Sequence, residues 1–401
     1  MTLAIIHTLS FHQNIHEAPR GFRRSWILGL AFVHAFILGA VLLATPVFAS
    51  NQFVFFGTQR SGTNAGFSLA HFDTDTGVLT KPELLLQASA PAFFTIHPDE
   101  RHLYTCNALS PGAVSAYAVE PHTGRLSFLN RVLTGGDGPC YVSLDQTARF
   151  ALAANYTGGN VAVFALRPDG SLGERTAFVQ HTGSSVNPQR QTHAYAHSII
   201  TDPSNRFVLV TDLGVDKIFV YRFNAQDGLL TPNDPPCAQV APGSGPRHVK
   251  FHPQGRWVYV VNEMASTVTA FGWNSTNGVL NEMQTVSALP KDFTGANTCA
   301  EVEVHPNGKF LYASNRGHDG LAVFAIDQKT GKLTLVEHVA SGGKTPRFFN
   351  FDPTGKWILC SNHGSDNTVV FRVDENTGKL TQTGQPISVP DPFCQQFFPV
   401  R

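Results

Sequence analysis

Charge is what this 401-residue chain has least of. Only 14% of its residues are Asp, Glu, Lys or Arg, and 29 basic residues cancel 29 acidic ones. A chain without net charge lacks the electrostatic footprint that nucleic acid or an acidic membrane surface demands, so neither is expected as a partner. Past residue 50 no apolar run is long enough to span a bilayer. Cysteine is sparse as well, limited to Cys106, Cys140, Cys237, Cys299, Cys360 and Cys394. None forms a Cys-x-x-Cys pair, which removes the commonest zinc arrangement. An even count permits disulfides, but no spacing pairs them. Several fall at apolar strand positions where a thiol packs as a small hydrophobe, so mostly free thiols are expected.

What is present divides at residue 50. Arg20, Arg23 and Arg24 precede an apolar run from Trp26 to Leu43, and Val47-Phe48-Ala49 supplies the expected cut. Residues 1–49 read as a cleaved export signal, with a retained membrane anchor as the alternative. The order Arg23-Arg24-Ser25-Trp26-Ile27 resembles a twin-arginine signal. An exported protein, periplasmic or extracellular and free of the membrane after cleavage, is therefore expected.

Residues 50–401 are rich in turn formers and aromatics; the whole chain holds 35 Gly, 25 Pro and 31 Phe. Such a composition favours many short strands. One phrase recurs through them: HPDERHLYTCN from His97, DQTARFALAAN from Asp145, DPSNRFVLVTD from Asp202, HPQGRWVYVVN from His252, HPNGKFLYASN from His305 and DPTGKWILCSN from Asp352. Each ends on Asn or Asp nine residues after the Pro position. A second marker, a turn that carries Gly before a hydrophobic residue, as in TGVL, TGRL or DGLL, occurs at Gly77, Gly124, Gly170, Gly228, Gly278, Gly331 and Gly378. Seven units of about fifty residues, each with four implied strands, predict a single all-β domain: a seven-bladed β-propeller of four-stranded antiparallel blades. The C-terminal Pro392-Phe-Cys-Gln-Gln-Phe397-Phe-Pro399 matches Pro246-Arg-His-Val-Lys-Phe251-His-Pro253 in Pro and Phe spacing. It reads as an innermost strand whose partners come from residue 52 onward, so the ring is expected to close by pairing the two ends of the domain.

The repeat also acts as a ruler. The first residue of each inner strand and the residue ending its neighbour stand sixteen apart: Ala92 with Ala108, Cys140 with Tyr156, His197 with Leu213, Arg247 with Glu263, Ala300 with Arg316, Arg347 with His363. Phe393 and Gln59 fill the split unit. Antiparallel pairing puts each couple side by side at one end of its sheet. His248 and Glu301 follow as neighbours, although strand alternation would point them elsewhere. Structural positions should repeat, as the turn residues His97, His252 and His305 do; these polar fillings do not. Arg247 with Glu263 could be a plain cross-strand ion pair. Convergence of three arginines, histidines and one glutamate at a concave end of a low-charge protein favours a site. His193-x-x-x-His197 leads into a strand and lacks the adjacent Glu of a zinc protease, and the mouth has too few carboxylates for calcium. No metal is expected, and an anionic small molecule suits the arginines.

At this point the segments GPCYVSLD, HSIITDPSNRFVLVTDLGVDKIFVYRF, GPRHVKFHPQGRWVYVVNE and VHPNGKFLYASNRGHDGLAVF resemble the seven-bladed lactonases of the 6-phosphogluconolactonase type, a family that includes carboxymuconate cycloisomerase. Carried over position by position, the resemblance implies His197, Arg247, Glu263 and Arg316 as the site, a lactone as substrate and no cofactor. Lactone hydrolysis needs a base for water, a donor for the oxyanion and an acid for the leaving oxygen. The expected roles are Glu263 as base, His197 as acid and Arg247 and Arg316 as anion or oxyanion binders, with Arg347, His248, His363 and Tyr156 as further substrate contacts. A sugar-phosphate lactone is a cytoplasmic metabolite, so an exported enzyme would take an unphosphorylated sugar lactone or another carboxylated one. Cycloisomerisation and a silent ligand- or protein-binding propeller are the alternatives, and a monomer is the expected state.

Overall fold

A computed structural model describes residues 50–60 and 65–401 of the chain. The expected export signal lies outside the described residues. Among those described, no helix is long and apolar enough to cross a membrane.

Short apolar runs rich in aromatic and β-branched residues, buried on both faces in the inner strands and broken by turns on the fixed offset, give seven four-stranded antiparallel sheets. Six are sequential hairpins, the fourth of these being Pro246–Phe251, Trp257–Asn262, Thr267–Asn274 and Val279–Ser287. The seventh is split: Cys394–Pro399 pairs with Asn51–Gly57 in register from Gln52↔Pro399 to Gly57↔Cys394, and Gly66–Asp73 and Glu83–Gln87 complete it. The strand that ends the chain is therefore innermost, and the ring closes as the spacing predicts.

The core lies between blades, and the recurring turn residues build it. Each marker glycine takes a positive φ of 68° to 78°. Each also lies so close to its neighbouring blade that a Cβ would collide: Gly331 with Trp257 at 2.5 Å, Gly378 with Phe310 at 2.4 Å, Gly77 with Trp357 at 2.4 Å. Glycine is needed there for both reasons. The carbonyls of these turns accept bonds across the same seam, from Tyr104 Oη to Gly170 (2.9 Å), Tyr259 Oη to Gly331 (3.0 Å) and Tyr312 Oη to Gly378 (2.7 Å). His97, His252 and His305 likewise reach the backbone oxygens of Ala148, Gly308 and Gly355 at 2.8 to 3.0 Å. These histidines join blades and are structural, as their repetition implies.

One irregularity positions the site. In every intact blade the inner hairpin slips by a residue at its start: Pro246 faces Asn262, yet His248 faces Val261. The slips in the other five fall at Ala92, Cys140, His197, Ala300-Glu301 and Arg347. Each is a β-bulge, which re-aims a side chain and leaves one residue out of the ladder. In the six intact blades the first member of each pair picked out by the sixteen-residue ruler is thus a bulged residue.

Candidate functional site

The hairpin Pro246–Asn262 shows how one site residue is placed. The Glu263 N–H donates to Gly245 O at 2.7 Å, which tethers the residue just beyond one strand to the residue just before its partner begins. Tyr156 and His363 are tethered the same way, to Gly138 O (2.9 Å) and Thr345 O (3.0 Å). Several of these residues meet at one end of the ring, in an open-mouthed cavity of about 440 Å³ lined among others by Tyr156, His197, Glu263, Arg316, Arg347 and Phe393.

Glu263 is the hub. Its carboxylate accepts from Arg247 Nε at 3.1 Å, Arg316 Nη2 at 2.8 Å and Arg190 Nη2 at 2.6 Å. Burial alone would raise this carboxyl, but the charges of Arg316 and Arg247, with His197 and the Arg190 bond, hold it well below the usual carboxylate range. Arg247 is 2% exposed and also donates to Ala300 O at 2.6 Å. Arg316 donates to Cys299 O at 2.8 Å. Arg190 lies on the loop between Leu172–Gln180 and Ala196–Thr201 and also donates to Tyr156 Oη at 3.3 Å. That loop falls outside the repeat, so no register argument could find Arg190.

His197 is buried, with its Nδ1 3.8 Å from the Cys140 thiol, and its Nε2 makes no hydrogen bond among the described residues. Burial, the Arg247 charge and His248 hold its imidazole neutral, well below the ordinary histidine value. Cys140 donates to His197 O at 3.2 Å, and burial pushes its thiol up to about 12, so it stays protonated and un-nucleophilic. Arg347 differs from the other guanidiniums. It stacks 3.7 Å from the Phe393 ring centre and has no carboxylate or carbonyl partner among the described residues. Burial and the charges of Arg247 and Arg316 all disfavour its cation. A cation so placed is short of negative charge, which is a physical reason for an anion to enter.

Three expected members do not line the cavity. Arg247 is buried beneath it and reaches it only through Glu263, so it positions that carboxylate instead of meeting a substrate. His363 turns from the cavity to Asp391 Oδ1 at 2.8 Å, because Asp391 also caps the backbone N–H groups of Gln59 and Arg60. His248 lies below the cavity, bonded to Glu301. No cluster among the described cavity residues has the make-up of a metal site; the single metal-like grouping, His97, Asp99 and His102, lies on another turn.

A sequence model of the family described as "Lactonase, 7-bladed beta-propeller" matches residues 53–397. A 6-phosphogluconolactonase of Bacillus subtilis is 38% identical over 297 residues, 74% of this chain and 84% of that one. Another, from Formosa agariphila, is 30% identical over 308 residues, again 74% and 84%. The solved structure of a periplasmic gluconolactonase of Pseudomonas aeruginosa superposes with a TM-score of 0.84 at 33% identity, covering 88% of this chain and all of that one.

Proposed function

Since the chain belongs to the seven-bladed β-propeller lactonase family, we propose that it hydrolyses a sugar or other anionic lactone in the cavity around Glu263. The observation that carries this reading is a buried imidazole whose Nε2 has no hydrogen-bond partner among the described residues, beside several guanidiniums that line the same cavity. The relatives named as 6-phosphogluconolactonase and gluconolactonase support a lactone as the substrate class.

The electrostatics favour exchanging the roles that the sequence suggests. Both groups are weakened as bases, but the Glu263 oxygens already accept from three guanidiniums, whereas His197 Nε2 has no partner among the described residues and its imidazole has no second proton to give as an acid. In the proposed reaction His197 Nε2 removes a proton from water as its oxygen attacks the lactone carbonyl carbon. Guanidinium N–H groups of Arg316 and Arg190 hold the oxyanion. The imidazolium thus formed is disfavoured by its surroundings and returns the proton to the ring oxygen as the C–O bond breaks. The hydroxy acid then ionises beside the arginines. Glu263 keeps the three guanidiniums in place, and Arg347 receives an anionic substituent of the substrate.

Purified residues 50–401 assayed on gluconolactone, its 6-phosphate and a carboxymuconate test this directly. His197→Asn is expected to cut kcat by about 10²- to 10⁴-fold while circular dichroism stays unchanged. Full activity in that variant would remove His197 as base, and no turnover of any lactone would favour a binding role. No proposed step runs through a metal, so EDTA should leave the rate unaltered. Export to the periplasm or cell exterior is proposed with this activity, in keeping with the periplasmic relative.

A further inference from the structure

Below the cavity lies a polar column that the proposed chemistry does not use. Cys140, Arg347 and Phe393 line both the cavity and a void of about 10 Å³ beneath it, whose walls include Arg247 and His248. His248 Nε2 lies 3.3 Å from Arg247 Nη1 and can only accept from it. Nδ1 must then carry the proton, and it donates to Glu301, 3.0 Å from each carboxyl oxygen. The chain Glu301, His248, Arg247, Glu263 thus runs from the fifth intact blade through the fourth to the cavity. Glu301 is 0% exposed and His248 2%. Their surroundings are otherwise aromatic, with the Phe93, Tyr141 and His197 rings 5.0 to 5.9 Å from the His248 ring.

We propose that Glu301, acting through His248 and Arg247, sets how strongly the cavity prefers an anionic lactone to an uncharged one. The inference rests on the lactonase reading for its substrate and on the geometry above for its mechanism. Glu301 has a neutral imidazole, not a cation, as its side-chain partner. Burial pushes its carboxyl up to about 7, against the pull of Lys250, Arg247 and Arg347. Glu303, raised by burial in the same way and sharing Lys250 with Glu301, titrates together with it; Tyr141 and Cys394 complete the titratable groups that face it. Glu303 is tied to Lys250 Nζ at 2.7 Å and so stands one ammonium further from the site. The sign follows: below about 7 Glu301 is neutral and the arginines above it keep their full pull on an anion. Above about 7 a new negative charge, little screened by solvent, lies under Arg247 and opposes that anion.

Calorimetric titration of gluconate, ionised throughout pH 6 to 8, into the purified protein provides the test, with the KM of uncharged gluconolactone followed over the same range. In the wild type the gluconate Kd is expected to weaken roughly three- to tenfold from pH 6 to 8, while the gluconolactone KM holds steady. Glu301→Gln should bind gluconate with a flat profile near the wild-type pH 6 value, whereas Glu303→Gln should keep a slope displaced to lower pH, because Lys250 then bears on Glu301 alone. A merely structural role would move affinity at every pH and leave the slope. A flat wild type or a slope that survives in Glu301→Gln overturns the proposal. If the gluconate slope appears although no lactone is turned over, the catalytic reading falls and this one stands; turnover without the slope does the reverse.

Discussion

Glu301 and His197 leave opposite marks on stability, because one is a carboxyl raised by burial and the other an imidazole lowered by it. An unfolded histidine near pH 6.5 would take a proton that buried His197 and His248 refuse, so these two lower stability as pH falls below about 6.5. The Glu301 carboxyl is held above its unfolded value of about 4.5. Its contribution is present below that value and is lost as pH rises through about 7. Glu301→Gln removes a charge that folding has to bury, so its Tm should exceed that of the wild type at pH 8 and converge with it near pH 4.5. Scanning calorimetry at the two pH values checks this. At this scale the ruler of sixteen residues reached Tyr156, His197, Arg247, Glu263, Arg316 and Arg347, since each occupies a repeated slot with an unrepeated side chain. Arg190 was beyond it, because a loop insertion has no counterpart in other blades. The proton assignments were also out of reach, since they follow from how three arginines and a buried imidazole come together in space.

Among elements, the closing strand carries the sharpest consequence. Cys394–Pro399 has no sequence neighbour in its sheet, and six register pairs bind it to Asn51–Gly57. Its Phe398 is fully buried against Phe55 in an edge-to-face contact with ring centres 5.8 Å apart. Deleting residues 391–401 should open the ring and lower Tm steeply, and an unchanged calorimetric melt would contradict this role. The seams between blades make a finer prediction. In Gly331→Ala the new methyl would meet Trp257 at 2.5 Å, on a backbone with φ of 72°. Overpacking and left-handed backbone together should cost about 2–4 kcal/mol in a denaturant titration. Strands and turns were legible because their marks return on a fixed period. The bulges were not, since one added residue at a strand start leaves no mark in the apolar pattern; only the loss of alternation from Arg247 to His248 hints at it.

For the molecule as a whole, the seven-fold ring followed from counting turns, and free thiols from the absence of any spacing that pairs cysteines. All six are free. The melt of residues 50–401 should therefore be the same with and without dithiothreitol, and a drop under reduction would reveal a bridge. A uniform ring of blades offers no site by itself; what distinguishes this one is the filling of its bulges. A bulged residue takes no part in the ladder that holds its blade together. Ala92, Cys140, His197, Arg247, Ala300 and Arg347 can therefore be exchanged by evolution almost like the pins of a lock. New ligand preferences can arise one slot at a time, with selection for folding acting on a different set of residues.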